Sequence, residues 1–233
     1  MKFTIGTDPE IFVLRSTNLI SAAGLVPGDK KAPYKVPNGA IQVDGTALEF
    51  NINPTDMEDE FLFNVKSVMG SMLDQAKLKF NDVVPYIEPI VKFGDEEWSK
   101  TPPDAKILGC DPDFSAVDGM INPNPGDVLL NLPVRTASGH IHIGWTSGKE
   151  ASDASHFGDC LSVAKFFHEA GVFAPKTSGE KSRLKYYGMN GSFRPKPYGV
   201  ELRAPSNLWL RSDKGIRDIF RLTYDNFKAF AGA

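Results

Sequence analysis

Apolar residues recur at three- and four-residue steps in one long stretch: Phe61, Val65, Val68, Met69, Met72, Leu73, Ala76 and Phe80. That period predicts an amphipathic helix. Thr55 and Glu58 stand just ahead of it at capping-box spacing. A second helix is predicted from the capping residue Ser152 to Ala170, with Phe157, Leu161, Ala164 and Phe167 or His168 on one face and Gly171 at its end. A third starts at Ser212 and carries Ile216, Ile219, Phe220, Thr223, Phe227 and Phe230 as a core stripe.

Elsewhere the pattern is that of strands. Residues 2–5 and 11–14 read as strands around the charged GTDPE, with 19–25 as a hairpin partner. Residues 41–43 and 47–52 flank Asp44-Gly45, a strong hairpin signal. Residues 83–93 read as a strand that Pro85 and Pro89 push to an edge. SGHIHIGW (138–145) and VELRA (200–204) complete the set. Residues 27–38, 94–103, 117–133 and 175–185 read as loops, the last basic and mobile. KILGCDPDFSA (106–116) echoes the opening GTDPEIFV; a weak internal repeat and two acidic turns after strands explain this equally well. Hairpins with three substantial helices predict an α+β fold in a single domain over 1–233. The expected sheet is antiparallel or mixed, with helices over one face and a charged pocket on the other.

Composition narrows the class. Of 233 residues, 41% are hydrophobic and 11% aromatic, enough for a real core. A formal net charge of -3 gives no reason to expect a nucleic-acid binder. Cys110 and Cys160 match no C-x-x-C spacing, so neither a disulfide framework nor a zinc ribbon is suggested. MKFTIGTDPE lacks the apolar stretch of a secretory signal, and no apolar run approaches the ~20 residues that span a bilayer. The expectation is a soluble, cytoplasmic protein with no membrane partner.

The candidate chemistry lies on strands. Asp8 and Glu10 are two apart, hence on one face if the backbone stays extended through Pro9. Glu49 sits in the apolar context ALEFNI. His140 and His142 share a face, as do Glu201 and Arg203. Taken singly, each is as readily a surface ion pair. Together, several carboxylates on one sheet face repel one another unless a cation compensates. Oxygen ligands with an added imidazole suit Mg²⁺ or Mn²⁺, and zinc fits less well with neither cysteine nearby. Arg135, Arg183, Arg194, Lys196 and Arg203 flank the acidic strands, and arginine forks bind phosphate. Cations beside arginines are what phosphoryl transfer needs. No P-loop and no G-x-G-x-x-G motif is present. His156 and His168 fall in a helix and receive no role.

GTDPEIFVL, VDGTALEFNINP, GCDPD followed by FSA, SGHIHIGW and YYGMNGSFRPKPYGVELRAPSNLWL occur in this order. Their order and spacing resemble the phage-type COOH–NH2 ligase family (type 2), placed in the glutamine synthetase and glutamate–cysteine ligase superfamily. The resemblance spans about residues 3–211. It implies an antiparallel sheet cupping ATP and two or three divalent metals. It also implies Asp8 and Glu10 as acids feeding different metals, with His140 of the H-x-H strand as a metal ligand beside His142. Glu201 would lie on a metal and Arg203 on the transferring phosphate; Glu49 matches a further metal-binding acid. Arg194, Lys196 and Arg183 join Arg203 as candidates for holding ATP phosphates, with Arg203 and Arg194 acting on the moving phosphoryl group. Asp8 departs from the longer Glu of glutamine synthetase. Asp111 and Asp113 have no clear counterpart there, and a turn or a substrate contact fits them equally.

The implied reaction is ATP-dependent amide formation through an acyl phosphate with Mg²⁺ or Mn²⁺. The substrate would be an amino acid, a short peptide or a cell-wall precursor, handled in the host bacterial cytoplasm if the chain is phage-encoded. Related enzymes often share sites between subunits, so an oligomer is compatible. The loops 117–133 and 175–185 are candidates for closing over the intermediate. The alternative is a non-catalytic phage protein that keeps the ligase fold as a binding or structural module. A cupin-type metal site on His140, His142 and a carboxylate explains H-x-H but leaves E-x-R and GTDPE unexplained.

Overall fold

A computed structural model describes residues 2–107, 113–123 and 132–232. The chain folds as α+β with antiparallel sheets. The first sheet has the order β1 (Thr4–Thr7), β10 (Ile141–Gly144), β12 (Gly199–Leu202), β11 (Phe193–Lys196). Strand alternation sorts its residues into two faces. Ile5, Ile141, Ile143, Phe193 and Val200 are wholly buried on one, beneath α3 (Ala154–Glu169) and α5 (Asp213–Gly232). The other face is polar. Across its four strands Gly6, His142, Glu201 and Arg194 stand directly opposite one another, and Thr4, Gly144, Gly199 and Lys196 form the next row.

The second sheet runs β3 (Asn18–Ile20), β2 (Glu10–Arg15), β6 (Ala47–Ile52), β5 (Gly39–Asp44), β4 (Tyr34–Val36), with β7 (Val83–Tyr86) also paired to β2. Ile11, Val13, Leu48, Phe50 and Ile41 turn to α1 (Glu58–Lys77) and are wholly buried. Glu10, Gln42 and Glu49 occupy the opposite face, with Glu49 paired to both of the others. A small sheet pairs β8 (Ile90–Lys92) with β9 (Val134–Thr136).

Asp8-Pro9 is the corner between the two large sheets. The Pro9 carbonyl accepts from Phe50 N at 3.3 Å, and Glu10 N donates to Ser138 O at 2.8 Å. The chain thus leaves one polar face at Asp8 and enters the other at Glu10. Behind both sheets lies one apolar layer. Phe61, Val65, Val68, Met72 and Ala76 of α1 are buried there, and Phe61 meets Phe220 of α5 at 5.3 Å between ring centroids.

Several expectations change. Residues 27–38 contain β4, joined to β5 by a turn at Pro37-Asn38. Asn38 takes φ 69° there, the Pro-then-Asn signature of a type II turn. The β5–β6 turn is Gly45-Thr46, because Asp44 pairs with Ala47. Thr55 does not cap α1: Met57 precedes the helix, and Thr55 Oγ1 instead donates to Glu60 at 2.6 Å. Residues 83–93 form two strands, β7 and β8, with different partners; Pro85 lies on an edge strand, where no ladder donor is needed. Within 94–103 the acids Asp95, Glu96 and Glu97 open a short helix, α2 (Asp95–Lys100), that Lys100 closes, matching the helix dipole. Asp153 rather than Ser152 caps α3, accepting from Ser155 N and His156 N. The 175–185 segment is not a loose loop. It holds α4 (Ser178–Arg183) with a full Thr177–Glu180 capping box, and Arg183 is buried. Residues 109–112 of GCDPD and 124–131 of the 117–133 segment lie outside the described residues, so Cys110, Asp111 and the repeat are not placed.

Removing the Phe61 ring would leave a cavity where both sheets' helices meet. Phe61→Ala should cost about 3–5 kcal/mol in a urea titration, against under ~0.5 kcal/mol for Lys77→Ala on the exposed end of the same helix.

Candidate functional site

The two polar faces meet at the Asp8-Pro9 corner, and two groups of potential ligands converge there. Asp8, His142 and Glu201 bring one donor atom each within 4.8 Å of one another; Glu10, Asp44 and Glu49 do the same. Asp8 and Glu10 would share a face only on one continuous strand; the chain instead changes sheet at Pro9, so they lie on different sheets. Asp8 Oδ1 is 2.8 Å from His142 Nε2 and 3.1 Å from His140 Nδ1. His140 Nδ1 also lies 3.5 Å from Glu201 Oε1, and its Nε2 is 3.1 Å from the Tyr187 hydroxyl. His140 thus lies against both Asp8 and Glu201, alongside the imidazole of the converging group, His142. His142 Nδ1 is held by the Tyr198 hydroxyl.

Glu201 is almost wholly buried and surrounded by cations. Arg203 Nη1 donates to its Oε1, and Arg194 lies 3.6 Å from Oε2. Lys196 Nζ is 2.7 Å from Oε2 but off hydrogen-bond alignment, so this buried oxygen has no aligned donor. Arg203 donates further to Asp113 Oδ2 at 3.1 Å and to the Tyr187 hydroxyl. Asp113 in turn accepts from Asn122 at 2.9 Å.

Arg183 stands apart from the expected phosphate binders. Its guanidinium is buried and donates to Ser138 Oγ at 2.7 Å, Ala204 O at 2.9 Å and Arg203 O at 3.1 Å. Arg135 is also buried, donating to the carbonyls of Leu132, Val134 and Lys106 and lying over the Trp98 ring.

Burial, modified by neighbouring charges, sets the protonation states. Burial pushes Glu10 up to about 8, with the Asp44 charge adding; the Ser138 N–H, Arg183 and Arg203 oppose this. Burial, then the charges of Asp8, Asp44 and Glu10, hold Glu49 well above the ordinary carboxylate range. Burial would also raise Asp8, but His142 and His140 outweigh it and hold Asp8 well below its usual value. Burial and Arg203 lower His140, whereas Asp8 and Glu201 overcome burial and raise His142. Burial followed by Asp8 and Glu201 pushes the Tyr198 phenol up, so it stays protonated at neutral pH.

A cleft of about 1020 Å³ opens beside the Asp8 group, bordered by His142, Lys196 and Tyr198. Its floor includes Gly6 and Gly144 on adjacent strands. A Cβ on Gly6 would meet only ordinary contacts, Pro54 Cβ at 3.4 Å and His142 Cβ at 3.7 Å. Fold geometry therefore does not demand glycine here; its effect is a bare floor that a ligand can approach. A cavity of about 40 Å³ lies on the other side, touched by Glu10, Asp44, Ser138 and Tyr187.

Sequence reasoning missed Asp44, Tyr187 and Tyr198. Asp44 had a signal: it alternates on β5 with Gln42, which stands opposite Glu49, but the hairpin expected at Asp44-Gly45 puts Asp44 in the turn. The tyrosines had none, since both contacts cross between distant segments. Comparison of the chain with protein-family models and with curated proteins finds no match. Among the described residues no helix is long and apolar enough to cross a membrane.

The raised carboxylates fix the sign of a pH effect. Between the ordinary glutamate value of 4.5 and about 8 the folded protein holds protons on Glu10 that the unfolded chain has released, so stability falls as pH rises through that window. Glu49 and His142, also raised, act in the same direction, and His140, lowered, opposes them. Asp8, lowered, contributes stability that is lost only below its ordinary value. In chelator the thermal midpoint should fall from about pH 5 to about pH 8, and Mn²⁺ should raise it more at the upper pH. A flat profile in chelator would show that these carboxylates are not crowded in the folded state.

Proposed function

We propose that the protein is an ATP-dependent carboxylate–amine ligase with a glutamine synthetase-like catalytic arrangement. One observation carries the reading: two carboxylate-rich groups from far-apart strands meet at one corner, flanked by Arg194, Lys196 and Arg203 and by an open cleft. The residues suit divalent cations. Two carboxylates in the second group are held protonated by burial, with the neighbouring carboxylate charges adding to it, and Glu201 keeps a buried oxygen without an aligned donor. Oxygen-only ligation by Glu10, Asp44 and Glu49 fits Mg²⁺, and the imidazole among Asp8, His142 and Glu201 tolerates Mn²⁺.

The cleft is large enough for a nucleotide. Its bare floor at Gly6 and Gly144 would leave room for a nucleobase, and Asp8, His142 and Lys196 would hold the phosphates together with bound cations. Divalent ions, when bound, supply neutralisation of the phosphate charge. The substrate carboxylate attacks the γ-phosphorus; the bond to the β-phosphate oxygen breaks, ADP leaves and an acyl phosphate forms. An amine then attacks the acyl carbon, loses a proton and expels phosphate. Arg203 and Arg194 stabilise charge on the moving phosphoryl group. Arg203 is oriented for this by Glu201, Asp113 and Tyr187. The substrate class is an amino acid, a short peptide or a cell-wall precursor.

A second reading, a non-catalytic module on the same fold, is favoured by a different observation. Glu201 is already engaged by Arg203, and Asp8 by both histidines. Such closed pairing is what a purely structural ion network would show.

Glu10→Gln and Glu201→Gln should each abolish Mg²⁺-dependent ATP turnover with the fold retained by circular dichroism. Incubation with ATP, Mg²⁺ and pooled amino acids and peptides should yield, by mass spectrometry, a product one water lighter than the sum of two components. Calorimetry that detects no binding of Mg²⁺ or ATP would favour the non-catalytic module, and normal turnover in both variants would remove these residues from the site.

A further inference from the structure

Arg183 presents an energetic anomaly. A guanidinium removed from water is costly unless paired, yet none of the described carboxylates forms an ion pair with it. Its acceptors are one hydroxyl and two backbone carbonyls, and its Nε has none. Burial pulls it down to about 10, with Glu10 the leading charge opposing that. Its surroundings are shaped around it: a Cβ on Gly188, which takes φ 78°, would come within 2.7 Å of Nη1, and the Tyr187 ring lies 5.1 Å from the guanidinium carbon.

The contacts explain the expense. Nη2 bonds both Ser138 Oγ and Arg203 O, while Nη1 bonds Ala204 O. Ser138 is itself the anchor of Glu10: its amide donates to Glu10 Oε2 at 2.7 Å and its carbonyl accepts from Glu10 N at 2.8 Å. Arg203 reaches Glu201. One side chain therefore connects the segment that hydrogen-bonds Glu10 with the backbone that follows Glu201. The base of Arg183 is fixed as well, since α4 is closed by its capping box and Glu180 accepts from Ser206 Oγ at 2.8 Å.

We propose that Arg183 is a positioning residue that never touches phosphate: through Ser138 it fixes the Glu10 carboxylate beside Asp44 and Glu49, and through the Arg203 carbonyl it sets that group against the Asp8, His142 and Glu201 group. The inference rests on the ligase reading only in taking these groups to hold divalent ions. Arginine is required because a single planar fork must reach acceptors on two segments, a geometry that a lysine ammonium does not reproduce.

The test is Mn²⁺ binding followed by electron paramagnetic resonance, with no turnover involved. Wild-type protein should bind two ions, and Glu49→Gln should identify the one held by the Glu10 group. Arg183→Met and Arg183→Lys should weaken that ion at least about tenfold, as loss of an outer hydrogen-bond partner does, and leave the ion on Asp8, His142 and Glu201 close to wild type. Ser138→Ala, a smaller change that keeps the guanidinium, should weaken the same ion in the same direction and serves if the Arg183 variants fail to fold. Equal weakening of both ions, or a lowered melting temperature with both ions bound normally, would overturn the positioning role. Unchanged Mn²⁺ binding with weaker binding of inorganic triphosphate would make Arg183 a phosphate contact instead. Absence of any Mn²⁺ from the wild-type protein would overturn the ion-binding reading of the site and this role with it.

Discussion

The burial of several carboxylates side by side is the constraint on which the molecule turns. Asp8, Glu10, Asp44, Glu49 and Glu201 are brought to one corner by strands that each have an apolar face firmly committed elsewhere. Ile5, Ile11, Leu48, Ile143 and Val200 are wholly buried, so their strands cannot rotate to relieve the acids on the opposite side. The core thus imposes the crowding, and the crowding is answered locally. Two imidazoles serve Asp8, three cations serve Glu201, and protons serve Glu10 and Glu49. Glu10 and Glu49 are thus kept in the acid form by the fold itself.

The cationic half of the corner has a division of labour that residue type alone conceals. Lys196 borders the cleft, and Arg203 and Arg194 face Glu201. Arg183 and Arg135 are turned inward to backbone carbonyls. The distinction follows from where each residue starts. Arg194 and Lys196 alternate on the polar face of β11, whereas Arg183 ends a short helix pressed against the chain after β12.

Much of this was legible from period. The 3.6-residue stripes in α1, α3 and α5 and the two-residue alternation in ALEFNI and HIHIG announced their faces, and with them Glu49, His142 and Glu201. Less could be read where a residue's role depends on a partner distant in sequence. Nothing near Arg183 indicates that Ser138, 45 positions away, is its acceptor. The short helices α2 and α4 were hidden by the same polar composition that suggests loops; charge order and a capping box define them, not an apolar stripe. Asp8 and Glu10 share a face only if the chain runs straight through Pro9, and a proline between two strand-like runs does not reveal that the strands belong to different sheets.

The Asp8-Pro9 corner has a consequence for how such a chain can vary. Each side of it is locked in phase by its own buried residues, Ile5 on one and Ile11 on the other. Gain or loss of a single residue between them would force one strand to turn over, exchanging an aliphatic side chain for an acid in the interior. Insertions elsewhere can be absorbed by surface turns, but at this joint the count of residues is as fixed as their identity.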